Sequence, residues 1–118
     1  TGGTDSGVMQ ITGKAIAEYD ARVAVIGIST WGTVLTRNKM VGQHGGTADM
    51  TPELKNSRDG GNLEPNHTHF LLVDAGKEGS TAWGGEIPFR NAFEYEYCRS
   101  RSVPRVLVVV QGGPGTLS

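Results

Sequence analysis

Cysteine is nearly absent. Cys98 stands alone in 118 residues, so no disulfide can form within the chain. With no signal-peptide pattern either, the sequence is expected in a reducing compartment. Long apolar runs are missing too. The longest, residues 106–110, is far short of the roughly 18–20 residues that span a bilayer, so this segment is not expected to enter a membrane. Charge of neither sign is in excess, with 11 Lys and Arg against 12 Asp and Glu. No basic tract exceeds two residues, which argues against nucleic acid or an acidic membrane surface as partner. Proline is scarce and the apolar runs are clear, so a low-complexity chain is excluded. No Gly-X-Y period is present, which excludes collagen.

What the sequence has instead is glycine. Its 18 glycines are about twice the usual share of roughly 7%. They cluster at residues 1–7, 42–46, 76–85 and 112–115. Clustered glycine marks backbone that turns tightly or approaches a ligand closely.

The apolar pattern orders the elements between these clusters. Val8, Met9, Thr12, Ala15, Ile16 and Tyr19 share one face at helical spacing, predicting a helix over residues 7–20, with Asp5 or Ser6 as its cap. Residues 23–28 and 69–73 read as strands buried on both faces. Between them lies an irregular stretch, in which Thr51 and Pro52 look like a helix start. A helix is expected from about 85 to 99, with Phe89, Phe93 and Tyr97 packed on the sheet and Pro88 in its first turn. Residues 105–110 read as the last strand, and Thr116 as the start of another helix. The alternation predicts an α/β fold: a Rossmann-like, doubly wound, mostly parallel sheet with helices on both faces. The chain is expected to be a single domain over residues 1–118, lacking a strand ahead of Thr1 and a helix after the last glycine loop.

In open α/β sheets ligands bind beyond the carboxyl ends of the strands. The loops at residues 1–8, 74–85 and 112–116 leave those ends. Two are Gly-Gly loops feeding a helix N-terminus, whose free N–H groups and positive dipole end suit phosphate. The strict G-x-G-x-x-G pattern is absent, so a standard dinucleotide dehydrogenase is not expected. Arg90 either reaches a phosphate over the sheet edge or pairs with Glu86 four residues earlier. Trp83, flanked by glycine loops, could stack on a base or sugar, or pack as core. Asp74 could contact a ribose hydroxyl or cap its loop. His67 and His69 share a strand face, but two histidines have no third ligand nearby, and no metal site is expected. His69 is expected buried and hydrogen-bonded. Cys98 reads as a small apolar residue. No catalytic constellation is expected.

Several segments together resemble a known family. They are Thr1-Gly2-Gly3-Thr4-Asp5-Ser6-Gly7-Val8, Ile26-Gly27-Ile28 with Trp31-Gly32, Asn66-His67-Thr68-His69-Phe70-Leu71-Leu72-Val73-Asp74, Gly84-Gly85-Glu86, and Gly112-Gly113-Pro114. In order and spacing, over nearly the whole chain, they resemble the cytosolic N-terminal domain of melastatin-type transient receptor potential (TRPM) cation channels. That domain belongs to the SLOG superfamily of Rossmann-like nucleotide sensors. The resemblance implies a non-enzymatic sensor of ADP-ribose or a related nucleotide, coupled to gating and needing no further cofactor. It also implies a place at the cytosolic face of a membrane, in a homotetrameric channel. By the same resemblance Thr4, Asp5, Ser6 and Gly7 face phosphate and ribose, Trp83 stands where the family has a ligand-side tyrosine, and Arg90 matches a phosphate-holding arginine. Gly2, Gly3, Val8, Trp31, Gly32, Asp74, Gly112 and Gly113 complete the candidate ligand-binding set. Asp5-Ser6 departs from the commoner asparagine-threonine, which puts an acid beside the expected anion. An alternative resemblance is to nucleoside monophosphate phosphoribohydrolases, through Gly112-Gly113-Pro114-Gly115-Thr116-Leu117. No arginine-lysine pair of that enzyme family is found.

Overall fold

A computed structural model of the chain describes residues 1–20, 22–54 and 58–112. Its centre is a parallel pair of strands, β1 (Ile26–Thr30) and β2 (His69–Val73), in register from Ile26 opposite His69 to Thr30 opposite Val73. On the other edge of β1, the Thr1 nitrogen donates to the Ile26 carbonyl at 3.0 Å and the Ile28 nitrogen to the Thr1 carbonyl at 2.8 Å. Thr1 thus holds a third parallel position, and β1 is bonded on both edges. This explains why Ile28, Ser29 and Thr30 are all buried.

The chain leaves Thr1 through the first glycine loop into α1 (Gly7–Glu18). Gly3 has φ +75°, and a β-carbon on it would lie 2.9 Å from the Gly27 Cα. A β-carbon on Gly27 would lie 2.7 Å from the Gly3 Cα. The loop and β1 therefore touch backbone to backbone, which only glycine on both sides permits. Ser6 caps α1 in position alone, with no side-chain bond to the helix.

The long stretch between β1 and β2 holds two short 3-10 turns, Trp31–Thr33 and Arg37–Met40. No helix begins at Thr51. Asp49 instead accepts the Thr51 N–H at 3.0 Å and its hydroxyl at 2.6 Å, and a side-chain turn of this kind competes with helix initiation. The end of the stretch braces the first loop. Thr4 and Leu63 form an antiparallel bridge, Val34 and Gly61 a parallel one, and the Glu64 nitrogen donates to the Gly3 carbonyl at 2.8 Å.

α2 (Ile87–Arg101) carries Pro88 in its first turn and ends at Ser102, in the left-handed region at φ 52°. Phe89, Phe93 and Tyr97 stack on one another, with ring centroids 6.2 and 6.1 Å apart. They do not pack deep on a sheet as expected. Phe89 and Tyr97 stay exposed, and α2 has no buried residue.

Residues 105–110 are not a strand. They run without ladder hydrogen bonds, and Val106 and Val108 are 78% and 77% exposed. Their composition suits a buried strand, but a strand needs a neighbour. In a doubly wound sheet that neighbour lies beyond β1, where among the described residues only Thr1 sits. The described residues thus form a small α/β unit with a two-stranded parallel sheet, not a complete doubly wound fold. The expected helix at Thr116 lies outside the described residues. No described helix is long and apolar enough to cross a membrane.

Residues 106–110 are an exposed, β-prone run free of charge and proline, which is an aggregation template. Val108→Lys is expected to raise the soluble fraction of the 118-residue chain, measured by light scattering on concentration. Equal scattering would mean the run is sheltered in solution.

Candidate functional site

A crevice of about 190 Å³ opens at the carboxyl end of β1. Gly2, Thr4 and Met9 line it from the first loop and α1. Ser29, Thr30 and Thr33 form its floor, and Trp83, Glu86 and Arg90 close it from the start of α2. A second cavity of about 170 Å³, lined by Asp5, Ser6, Glu53, Gly60, Asn62 and Trp83 among others, meets it at the Trp83 ring. Each is smaller than the roughly 300–1,000 Å³ typical of ligand sites, so a guest of ordinary ligand size would extend across both, past Trp83.

Two larger cavities lie elsewhere. One of about 690 Å³ sits under residues 40–52 against Phe70 and Leu72. The other, about 520 Å³, separates α2 from residues 104–107 and takes in Cys98. Size favours them, and both also carry polar side chains, Asn91, Glu94 and Arg105 in the second. What singles out the β1 crevice is its place at the carboxyl end of a strand, where the first glycine loop meets Trp83, Glu86 and Arg90.

The crevice floor is made of buried hydroxyls whose protons are already committed. Ser29 Oγ donates to the Gly2 carbonyl, Thr33 Oγ1 to the Thr30 carbonyl at 2.9 Å, and Thr30 Oγ1 to Glu86 Oε2 at 2.7 Å. Glu86 is therefore held across the crevice by β1 and is not the partner of Arg90. Arg90 Nε lies 4.0 Å from Glu94 Oε1, a loose pair on a partly exposed face. Trp83 is fixed by its indole N–H, which donates to the Arg58 carbonyl at 3.0 Å.

Of the candidate ligand residues, the structure brings Gly2, Thr4, Trp83 and Arg90 into the first crevice, and Asp5 and Ser6 into the second. Gly3 is spent on contact with β1. Gly7 sits at φ +50° with open space around it, and Val8 lies on the exposed side of α1. Trp31 and Gly32 form a 3-10 turn in which a β-carbon on Gly32 would strike the Lys77 carbonyl, a packing role. Asp74 caps its own loop by accepting the Gly76 N–H at 2.8 Å. Gly112 is exposed and away from the crevice, and Gly113 lies outside the described residues.

The buried histidine is His67, not His69. His67 Nδ1 lies 2.6 Å from Glu64 Oε2, and His67 Nε2 lies 2.6 Å from the Thr1 hydroxyl. Glu64 is 1% exposed and also accepts the Asn66 backbone and side-chain N–H groups at 2.9 and 2.8 Å. Burial alone would raise its carboxyl pKa. The bonds from His67 and Asn66 outweigh burial and hold it below the usual carboxylate range. Nδ1 donating to Glu64 while Nε2 accepts from Thr1 satisfies the whole chain of bonds. His69 is exposed at the start of β2, and its Nδ1 lies 2.7 Å from the Thr68 hydroxyl. No group of three metal-ligating side chains occurs among the described residues.

A family model described as SLOG in TRPM matches residues 1–118, the whole chain. The chain belongs to the SLOG domains of TRPM channels. Relatives agree. A transient receptor potential cation channel subfamily M member-like 2 of Nematostella vectensis is 39% identical, aligned to all of this chain and 9% of its own length. Subfamily M member 2 of Mus musculus is 37% identical over 99% of this chain and 9% of its own. Subfamily M member 7 of Homo sapiens is 33% identical over 99% of this chain and 7% of its own. The chain thus spans less than a tenth of the curated relatives it matches.

Sequence reading missed Glu86 and Thr30 as crevice residues of this SLOG domain. The four-residue spacing of Glu86 and Arg90 suggested a helix-surface pair. Nothing local signals that Thr30, on β1, competes for the same carboxylate.

Proposed function

We propose that this SLOG domain senses a nucleotide such as ADP-ribose from the cytosolic side of a TRPM-like cation channel and passes occupancy to the gate. The observation that carries the reading is convergence. Gly2 and Thr4 of the first glycine loop, and Trp83 and Arg90 at the start of α2, come from two stretches far apart in sequence and line one crevice at the carboxyl end of β1. A ligand there meets a planar aromatic for a base or sugar and a guanidinium for phosphate. Among the described lining residues of the two small cavities, Arg90 is the one cation, so much of the anion recognition falls on it.

Arg90→Ala is expected to weaken ADP-ribose binding by the full-length protein about ten- to a hundredfold, because a bond to a charged group contributes roughly 1.5–3 kcal/mol. Arg90→Lys is expected to recover part of the loss, since a point charge cannot form the planar fork. Titration calorimetry at fixed salt measures all three. Equal affinities across them, or no binding by the unaltered protein, would overturn the reading.

A further inference from the structure

We propose that Glu86 reads sugar hydroxyls, so that the crevice selects a ribose-bearing anion whose diol is free. This deepens the nucleotide-sensing reading above and rests on it. The argument is an account of donors and acceptors. Thr30 and Thr33 have given their hydroxyl protons to Glu86 and to backbone, Ser29 has given its proton to Gly2, and Thr4 shares with the Ser6 hydroxyl at 3.5 Å. What the floor presents to a guest is lone pairs. Glu86 adds more, since only its Oε2 is engaged among the described residues. A diphosphate esterified at both ends has no proton to offer such a floor at neutral pH, and a carboxylate repels it. A sugar hydroxyl donates well to a carboxylate, and two neighbouring hydroxyls donate to it together. Arg90, lining the same crevice, offers N–H donors and positive charge. The complement is a molecule with hydroxyls at one end and an anion at the other. Thr30 is a positioning residue here: its buried hydroxyl holds the Glu86 carboxylate against swinging out to pair with Arg90.

The test uses the full-length protein, with ADP-ribose and two analogues as probes. One analogue lacks the adenosine 2′-hydroxyl and the other the terminal-ribose 2″-hydroxyl. On unaltered protein, one of the two is expected to bind about tenfold or more weaker than ADP-ribose, the loss expected for a hydrogen bond to a charged group. In Glu86→Gln, ADP-ribose is expected to weaken similarly, while that analogue loses little further, so the two changes are not additive. Thr30→Val, which keeps shape in a strand, should weaken ADP-ribose more than the analogue. A merely structural clamp would weaken every probe equally. Equal affinity of all probes on unaltered protein, or tighter binding of ADP-ribose by Glu86→Gln, overturns the diol assignment and leaves nucleotide sensing standing. No binding of ADP-ribose by unaltered protein overturns both.

Discussion

Glu64→Ala is expected to remove about 3 kcal/mol or more from the stability of the chain. The carboxylate is the acceptor for three donors: His67 Nδ1, the Asn66 backbone N–H and the Asn66 side-chain amide. Each buried donor left without a partner costs about 1–3 kcal/mol. Whole-domain stabilities are about 5–15 kcal/mol, so the loss is a large share. The damage spreads because the same few residues join separate parts of the fold. The Glu64 nitrogen holds the Gly3 carbonyl, and His67 holds the Thr1 hydroxyl. Glu64→Gln keeps the shape but points an amide at a donor, and is expected to lose somewhat less. Urea unfolding followed by circular dichroism measures both. A cost below about 1 kcal/mol for the alanine variant would show that water replaces the carboxylate.

The same group sets an acid limb. Its folded pKa lies below the usual value, so its stabilisation is fully present above the unfolded value of about 4.3. It is lost as pH falls through the folded value. Glu64→Gln should flatten the stability profile in that window and leave the profile near neutrality parallel to that of the unaltered chain.

Gly13→Ala is expected to destabilise, against the ordinary rule. In mid-helix, alanine is favoured over glycine by about 1 kcal/mol. Gly13, however, is the buried position of α1, and a β-carbon there would collide with the Glu64 carboxylate. That carboxylate is fixed by its three donors and cannot swing aside, so the expected result is overpacking at about 1–3 kcal/mol. The sign should depend on Glu64. In a Glu64→Ala background the collision partner is gone, and Gly13→Ala should become neutral or stabilising. Denaturation of the four proteins of that cycle measures the coupling. Additive effects would show that α1 moves away from the carboxylate.

These two positions show where sequence reading stops. The limits of β2 were legible from a short apolar run ending at Asp74, but the expected burial on both faces is not found: His69 is exposed and residues 70–73 are half-buried. β1 lies further along than its apolar residues suggest. Ser29 and Thr30 are buried strand positions because their hydroxyls find partners on Gly2 and Glu86, which composition does not reveal. Val23, the most apolar-looking start of that run, is exposed. The valines at 106, 108, 109 and 110 carry the same local signal as a buried strand, yet lie unpaired, since pairing belongs to the neighbour and not to the segment. At the site, the glycine loop, Trp83 and Arg90 were legible from their places at element ends. The Glu64–His67 link was not, because Glu64 stands in a stretch with no periodicity and its packing partner Gly13 is on a distant helix.

Trp83 forms the wall shared by the two small cavities, and its indole is about half exposed. Indole emission shifts with the water around the ring, so the wall is also an optical reporter native to the protein. A molecule long enough to occupy both cavities has to cover that ring, whereas one confined to either cavity leaves part of it wet. Trp31, half-buried in its 3-10 turn and outside both cavities, supplies a second signal that does not depend on the guest. Within these 118 residues, replacing Trp31 with phenylalanine leaves Trp83 as the one tryptophan, whose colour then reports the length of whatever is bound.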